Sequence, residues 1–325
     1  MKWLLVFMPA LLFGSLLLYG RRRVATAEAS FPPMGSFVLA AGVRLHYVSR
    51  GSGPPVVFLH SGGGLLLDFV PNLFDLAAHD FQVLAFDRAG LGYSERPPGT
   101  LSLGIQARLL HDALLALNVQ RPVLVGHSYG GALALNYTLA FPADVSGIVL
   151  LAAPAFAEGL GSQNIGPEAY IPGIPVLGDL IMQTLIIPVG PIMAKSVIER
   201  AFSPDAPSSA PPGFRESFTA LLFRPGHFKA NAEEVGGIRT DLAKMQSRYQ
   251  EISTPTVIVT GDSDRIVNPD LHARPLHRLV PQSKLVVLPG TGHMIPQTRP
   301  KAVMEAIHVA MEGRRVKARP QKEER

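Results

Sequence analysis

Short, mainly apolar segments alternate with longer helical segments in the first half of this chain. Four apolar segments have the length and composition of strands buried inside a parallel sheet: residues 56–60, 81–86, 123–125 and 148–151. Helical segments separate them at residues 73–78, 103–117 and 130–141. This alternation predicts right-handed crossovers and a mostly parallel sheet covered by helices on both faces.

The alternation is preceded by a strand hairpin and interrupted once. The hairpin strands are predicted at residues 37–39 and 43–48. Residues 157–250 form a helical, apolar stretch punctuated by proline and glycine, after which strands and helices alternate again at residues 256–259, 269–279, 285–288 and 300–313. The sequence therefore predicts an N-terminal segment with a basic flank, a first core part, a helical cap, a second core part and a basic tail, at residues 1–28, 29–156, 157–250, 251–313 and 314–325.

The net charge of +5 belongs to the two ends of the chain. Residues 1–28 and 314–325 hold ten of the 30 Lys and Arg residues and three of the 25 Asp and Glu residues, which leaves 20 basic and 22 acidic side chains between them. Such a body offers no basic face to a nucleic acid. The absence of cysteine excludes disulfides and thiolate chemistry. No histidine pair has metal-ligand spacing near a carboxylate, so we expect neither a metal nor another cofactor.

The N-terminal segment has the length of a membrane span. Residues 3–20 carry no charge and would extend about 27 Å as a helix, close to the thickness of the hydrocarbon core of a bilayer. The three arginines at residues 21–23 favour an uncleaved single-pass anchor, with the body cytoplasmic and the membrane as a partner. The alternative is export after removal of a signal peptide at the Ala-Thr-Ala sequence of residues 25–27. If the anchor is retained, the basic tail would also face the anionic cytoplasmic leaflet; the alternative is that the tail is a solvated, disordered segment.

A serine occupies the centre of a G-x-S-x-G pentapeptide at residues 126–130. The pentapeptide lies between a predicted strand and a predicted helix, and there it forms a sharp turn in which glycines allow close backbone approach. Ser128 would project from the sheet near a helix N-terminus, whose free N–H groups favour developing negative charge. We predict that Ser128 is a nucleophile.

A serine nucleophile needs a base and a third group that orients the base, and on this type of turn both follow later in the chain. Two loops after predicted strands supply these residue types. One loop contains Asp262 and Asp264, and the other ends in His293. Because the carboxyl ends of parallel strands lie at one edge of a sheet, these side chains would lie beside Ser128. Either aspartate could be the orienting acid.

The ordered motifs resemble the α/β-hydrolase superfamily, in its form with a cap subdomain, over residues 37–313. Two further blocks carry the resemblance, His60-Ser61-Gly62-Gly63-Gly64 and the D-x-x-G-x-G-x-S block of residues 87–94. The resemblance implies the α/β-hydrolase fold with a helical cap, here with an added N-terminal hydrophobic helix. It also implies that Asp264, the last residue of a G-x-x-D pattern, is the acid and that His293 is the base. Asp262 would then cap a turn.

The resemblance further implies where an oxyanion would bind. The residue after the nucleophile supplies one backbone donor, which is Tyr129 here. The second donor in the family lies two residues after the histidine of an H-G-x motif, and this position is Gly62. Ser61 departs from the family's usual glycine. The block of residues 87–94 would shape the floor of the site rather than take part in chemistry.

We therefore expect a serine hydrolase that cleaves carboxylic esters of apolar acyl or aromatic groups through an acyl-enzyme, with water as the second substrate. A serine nucleophile argues against the epoxide hydrolases and dehalogenases of this fold, which the family resemblance associates with aspartate. Alternatives on the same triad are C–C bond hydrolysis, amide or peptide cleavage, and cofactor-free perhydrolysis or acyl transfer. A non-catalytic, membrane-associated binding protein is an alternative of another class, although binding alone needs no triad.

Overall fold

A computed structural model describes residues 2–70, 72–160, 171, 174, 176–210 and 212–318. Its centre is one eight-stranded sheet with the strand order β1-β2-β4-β3-β5-β6-β7-β8. The strands are β1 Ser36–Ala40, β2 Val43–Arg50, β3 Pro55–Leu59, β4 Gln82–Phe86, β5 Val123–His127, β6 Gly147–Leu151, β7 Thr256–Gly261 and β8 Lys284–Leu288.

The strands from β4 to β8 are parallel, and β2 alone runs against them, since it pairs antiparallel with both β1 and β4. The central strands are fully buried, as expected for apolar runs covered on both faces. The predicted α/β-hydrolase fold with a mostly parallel sheet is confirmed. Because β3, β5, β7 and β8 point the same way, the loops that follow them open at one edge of the sheet.

Helices pack on both faces of the sheet. The α-helices of the described residues, including those of the cap, are α1 Lys2–Ser30, α2 Asn72–Ala77, α3 Leu103–Ala116, α4 Tyr129–Ala140, α5 Leu177–Ile181, α6 Ile187–Phe202, α7 Phe214–Leu222, α8 Pro225–Met245, α9 Ala273–Leu279, α10 Ile295–Thr298 and α11 Pro300–Ala318. Side chains of α3 and α4 join one buried apolar cluster, and side chains of α2 and α11 join a second cluster across the sheet. A π-helical turn, Met182–Ile186, joins α5 to α6.

The helices α5 to α8 lie between β6 and β7, within the segment predicted as a cap. They share an apolar cluster of their own, which includes Phe202, Phe214 and Phe228. Met294, the residue after the predicted catalytic histidine, joins this cluster from the core side. Residues 161–170, inside the predicted cap, lie outside the described residues.

The helix α1 rests with its second half against the cap. A Cβ atom on Gly20 would lie 2.7 Å from the carbonyl oxygen of Gln183, and Ala27 is buried beside Leu221. Glu28 forms an ion pair with Arg224. Residues 11–15 are exposed, whereas Met1 and the side chains of residues 2–7, 9 and 10 lie outside the description, and the predicted anchor includes them.

A search of the described residues for membrane spans found no single helix with sufficient length and apolar character. Two segments, Leu177–Ile192 and Ala194–Phe202, meet these requirements only together, with a bend of 49° between them.

Two predicted helix bounds were wrong. The helix predicted from residue 269 begins at Ala273, because the Asn268 side chain accepts the N–H of Asp270 at 2.8 Å and holds a turn there. The last helix continues from the predicted end at residue 313 to Ala318. Its added residues include arginine and lysine, which are good helix formers. The rest of the predicted tail, residues 319–325, lies outside the described residues.

Candidate active site

Ser128 sits in a strained turn between β5 and α4. Its backbone angles, φ 52° and ψ −119°, lie in a region that non-glycine residues rarely adopt. Such strain costs about 1–3 kcal/mol and persists only where the surroundings enforce it. Here the N–H of Ser128 donates to the carbonyl of Leu151 at 2.8 Å, and the carbonyl of Ser128 accepts the N–H of Gly131 at 2.8 Å. The turn therefore holds a half-buried serine at the end of the sheet.

The glycines of the pentapeptide are required by close backbone contacts. A Cβ on Gly130 would lie 2.6 Å from the carbonyl carbon of Leu59 and 2.7 Å from the carbonyl oxygen of His60. A Cβ on Gly126 would lie 2.6 Å from the amide nitrogen of Gly131. No real side chain tolerates such distances. Glycine at residue 130 therefore lets the turn pack against the end of β3, and glycine at residue 126 lets the end of β5 approach the start of α4.

Asp264 and His293 form a buried pair. The Nδ1 atom of His293 donates to the Oδ2 atom of Asp264 at 2.8 Å, and the side chains are 6% and 0% exposed. The Oδ1 atom of Asp264 accepts the backbone N–H groups of Ile266 and Val267 at 2.8 and 2.9 Å. Burial alone would raise the pKa of Asp264, but the neighbouring His293 and these hydrogen bonds outweigh burial and lower it. Asp264 is therefore a carboxylate that fixes the His293 ring.

Asp262 lies close in sequence but has another role in the structure. It is exposed, and its Oδ1 atom accepts the N–H of Gly290 at 2.8 Å and the hydroxyl of Ser263 at 2.9 Å. The bond from Gly290 ties the loop after β7 to the loop after β8. The structure thus brings Asp264, and not Asp262, to the histidine.

His127 connects His293 to the serine turn. The Nε2 atom of His127 donates to the carbonyl of His293 at 2.9 Å, and the two ring centres are 5.0 Å apart. Burial lowers the pKa of His127 to about 3. His127 therefore stays neutral near pH 7 and places no positive charge beside His293. Its contact holds the histidine loop next to Ser128.

Two backbone donors flank the serine turn. A Cβ built on Gly62 would lie 3.8 Å from the Cβ of Tyr129, so the loop after β3 and the first turn of α4 are adjacent. Among the described residues, the N–H groups of Gly62 and Tyr129 have no hydrogen-bond acceptor. The N–H and hydroxyl of Ser61 both donate to Asp68, at 3.0 and 2.7 Å. The departure from the family motif thus adds a contact that holds the loop and leaves the next N–H free.

A match to a protein-family model decides the classification. The model described as the alpha/beta hydrolase family matches residues 56–306. The chain belongs to the alpha/beta hydrolase family. This confirms the resemblance that the motifs indicated.

Several known proteins are similar to this alpha/beta hydrolase. A 2-hydroxy-6-oxo-2,4-heptadienoate hydrolase from Pseudomonas putida is 28% identical over 267 residues, which cover 81% of this chain and 90% of the relative. Epoxide hydrolase 3 from Mus musculus is 26% identical over 296 residues, which cover 87% of this chain and 76% of the relative. A solved structure of Est816, described as an N-acyl homoserine lactone degrading enzyme, has a TM-score of 0.65 and 27% identity and covers 84% of this chain and 99% of its own. The three names differ in substrate, so family membership leaves the cleaved bond open.

The cap of this alpha/beta hydrolase contributes polar residues that sequence reasoning missed. They lie on α8 at positions i, i+4 and i+7: His227, Asn231 and Glu234. The Nε2 atom of His227 donates to the carbonyl of Gly63 at 3.0 Å, and its Nδ1 atom accepts the N–H of Gly92 at 3.0 Å. The spacing of these residues on one helical face was the available signal.

Asn231 and Glu234 extend this polar face of α8. The Asn231 amide lies against Gly62 and Gly63, and its Oδ1 atom is buried without a hydrogen-bond partner among the described residues. Glu234 forms an ion pair with Arg88, and both side chains are at most 1% exposed.

The block of residues 87–94 shapes the floor of the site through Asp87. Its carboxylate accepts the N–H groups of Leu66 and Tyr93, both at 2.9 Å, and pairs with the Nδ1 atom of His46 at 2.7 Å. The side chain of Asp87 is 2% exposed. These bonds fix the loop that follows the glycines after β3. Among the described residues of this alpha/beta hydrolase, no group of three or more His, Asp or Glu side chains is placed to hold a metal ion.

Proposed function

We propose that this chain is a serine hydrolase in which Ser128 is the nucleophile, His293 the base and Asp264 the orienting acid. The observation that carries the proposal is the buried His293–Asp264 hydrogen bond beside a serine on a strained turn. This is the arrangement of nucleophile, base and orienting group that activates a serine hydroxyl.

The reaction proceeds in two halves. The Oγ atom of Ser128 attacks the acyl carbonyl while Nε2 of His293 takes its proton, since Nδ1 is bound to Asp264. The N–H groups of Gly62 and Tyr129 donate hydrogen bonds to the carbonyl oxygen as negative charge develops on it. When the C–O bond breaks, His293 returns the proton to the leaving alcohol. Water then attacks the acyl-serine by the same route and releases a carboxylic acid.

The substrate class we propose is a carboxylic ester with an apolar acyl or aromatic group. The support comes from the cap, whose apolar cluster extends to Met294, next to His293. Residues 157–250 would act as a lid that lines the acyl pocket, with the core at residues 29–156 and 251–313. The Est816 relative is named for degrading a lactone, which is a cyclic ester.

Hydrolysis of a C–C bond is the second candidate, since the Pseudomonas putida relative is named for a dienoate substrate. A dienoate carries a carboxylate, and such a group calls for a cation in the pocket. The guanidinium nearest the loop after β3, that of Arg88, is already paired with Glu234. This pairing favours an uncharged ester. Amide cleavage, perhydrolysis and acyl transfer use the same triad and are further candidate reactions.

We also propose that the chain is held at a membrane by the segment of residues 3–20, with the body on the cytoplasmic side. Large apolar side chains on the cap support this location. Leu185, Val189 and Ile192 lie at helical spacing and are 48%, 44% and 77% exposed. An exposed apolar face of this kind marks a contact with a partner or a membrane surface. Export after cleavage remains the alternative.

The test of the proposed chemistry is labelling by a fluorophosphonate probe followed by peptide mapping. We expect covalent modification of Ser128 in the wild-type chain and none in Ser128→Ala. Equal labelling of both chains, or none of the wild type, would refute the proposal, and the second result would favour a binding protein. A panel of p-nitrophenyl esters, an anilide and a dienoate then separates the bond types by kcat/KM.

A further inference from the structure

A buried ion pair joins the cap to the loop that would bind the oxyanion. Arg88 follows β4, and Glu234 belongs to α8 of the cap; their side chains are 1% and 0% exposed. The Nε2 atom of Gln106 also donates to Oε1 of Glu234, at 2.6 Å. Through its own two bonds to the backbone of Ala89, Gln106 fixes this arrangement from the core side.

The other donors of Arg88 reach the two carbonyls that precede Gly62. Its Nε atom donates to the carbonyl of His60 at 3.2 Å, and its Nη2 atom donates to the carbonyl of Ser61 at 2.8 Å. The carbonyl of Ser61 and the N–H of Gly62 belong to one planar, trans peptide unit, so they point in opposite directions. Holding the carbonyl of Ser61 therefore fixes the direction of the Gly62 N–H.

Arg88 also touches the residue that supplies the second donor. The centre of its guanidinium lies 4.4 Å from the ring centroid of Tyr129, within the range of a cation–π contact. One side chain thus contacts both halves of the oxyanion site, the loop after β3 and the start of α4.

Stability alone does not account for this pair. Burial raises the pKa of Glu234, and the charge of Arg88 offsets only part of that rise. Replacement of a buried ion pair by apolar side chains of similar volume is often neutral or stabilising. The contacts of the pair with the loop after β3 give it a geometric role instead.

We propose that Arg88 is a positioning residue that holds the Ser61–Gly62 peptide with its N–H toward the oxyanion, and that Glu234 of the cap holds Arg88 in place. This inference rests on the proposed serine-hydrolase function. Its consequence is that the cap orders the oxyanion site, in addition to lining the pocket.

The test compares two double variants that each remove one ion pair between the core and α8. Arg88→Met/Glu234→Leu removes the pair that touches the loop. Arg96→Met/Glu233→Leu, the matched control, removes a pair between the same two parts of the molecule whose side chains are 32% and 20% exposed, with an N–O distance of 2.6 Å. Both variants keep the volume roughly constant and leave no unpaired buried charge.

We expect the first variant to lose about 10²–10³-fold in kcat on an activated ester, the loss typical for one oxyanion donor, with KM nearly unchanged. Its affinity for a boronic acid that mimics the tetrahedral intermediate should fall by a similar factor. The control should keep wild-type values, and the melting temperatures of the two variants should be similar. Equal losses in the two variants, or wild-type kcat in the first, would overturn the inference.

Hydrogen–deuterium exchange separates this inference from the proposed function. We expect faster exchange of the peptide containing residues 59–64 in the first variant than in the control. Exchange reports the order of the loop even if the wild type is not labelled by the fluorophosphonate. Unchanged exchange in this peptide would refute the positioning role, whereas absence of labelling would refute only the proposed chemistry.

Discussion

The carboxylates of Asp262 and Asp264 are two residues apart and accept hydrogen bonds from different partners. Asp264 accepts the ring N–H of His293, and Asp262 accepts the backbone N–H of Gly290. Replacement of each aspartate by asparagine would therefore have different consequences. The side chain that holds the histidine tautomer affects chemistry, and the side chain that holds a turn affects stability.

We expect Asp264→Asn to lower kcat by about 10³–10⁴-fold, because the amide no longer holds His293 with its Nδ1–H toward the acid. Asp262→Asn is the matched control and should keep kcat within about threefold, with a loss of at most about 1 kcal/mol in unfolding free energy. Ester kinetics and urea unfolding of both variants measure these effects. The opposite ranking in kcat would assign the acid to Asp262.

The serine turn makes a prediction about stability. Gly130→Ala would place a Cβ 2.6 Å from the carbonyl carbon of Leu59, so β3 and α4 must move apart. We expect a loss of about 3 kcal/mol or more in unfolding free energy. Gly236→Ala, on α8, has no atom within 4 Å of the new Cβ and should stabilise by about 0.5–1 kcal/mol. Equal effects of the two substitutions would contradict the close packing at the turn.

At this scale the sequence predicted some of the site residues and missed others. Ser128 and His293 follow from local motifs, because each stands directly after a strand in the order that the chemistry needs. The choice of Asp264 over Asp262 required a family resemblance, since both follow the same strand. Glu234 and Asn231 share one face of α8, but this spacing does not show what the face contacts, because their contacts to Arg88 and Gly62 are made across 146 and 169 residues of chain and depend on how the cap docks.

At the scale of elements, α8 joins the cap to the core through a histidine that must stay neutral. The Nδ1 atom of His227 accepts the N–H of Gly92, so a proton on Nδ1 would face a donor. Burial, together with the neighbouring charge of Arg224, lowers the pKa of His227 to about 4. In the unfolded chain the pKa of histidine is about 6.5.

This difference gives a stability prediction with a defined sign. Below pH 6.5 the unfolded state binds the proton and the folded state does not, so stability falls as the pH falls from about 6.5 to 4. His227→Gln, which keeps a donor and an acceptor but cannot titrate, should reduce this loss by up to about 3 kcal/mol. The loss is measured by urea unfolding at pH 7 and pH 4.5. The control is His79→Gln, an exposed position outside the cap; the same pH slope in both variants would contradict the prediction.

The elements themselves were predictable to the extent that periodicity and turn residues define them. Every strand of the sheet lies within or beside a predicted apolar run. The start of α9 was not predictable from periodicity, because the turn at Asn268 depends on a side-chain hydrogen bond to the backbone. The cap helices do not alternate with strands. Their docking onto the loops after β3 and β4 depends on contacts between residues far apart in the chain, so local sequence does not predict it.

At the scale of the whole molecule, the exposed apolar face of the cap lies beside the base of α1. Arg23 of α1 and Lys195 of α6 line one crevice between these helices, and Lys195 follows the exposed Ile192 by about one turn of α6. This combination suits a bilayer with anionic headgroups. The proposed membrane location therefore includes the cap as well as the N-terminal segment.

The chain has no cysteine, so single cysteines can report this location without background. We expect an environment-sensitive fluorophore on Ile192→Cys to be quenched by spin-labelled lipid when the full chain is in anionic vesicles. The control is Leu115→Cys on α3, which is 60% exposed and belongs to the core. Equal quenching at the two positions, or none at Ile192, would argue against contact of the cap with lipid. Mass spectrometry of the N-terminus completes the test, since a start at Glu28 would show that the segment is removed.

The insertion of the cap between β6 and β7 has a consequence for how such a protein diversifies. Both strands are paired on either side within the sheet, so a cap of different length or sequence can be exchanged there while the serine, acid and histidine loops keep their places. The Arg88–Glu234 pair limits this modularity. A transplanted cap would have to bring its own acidic side chain to the same position, or the recipient would have to lose its arginine in the same evolutionary step.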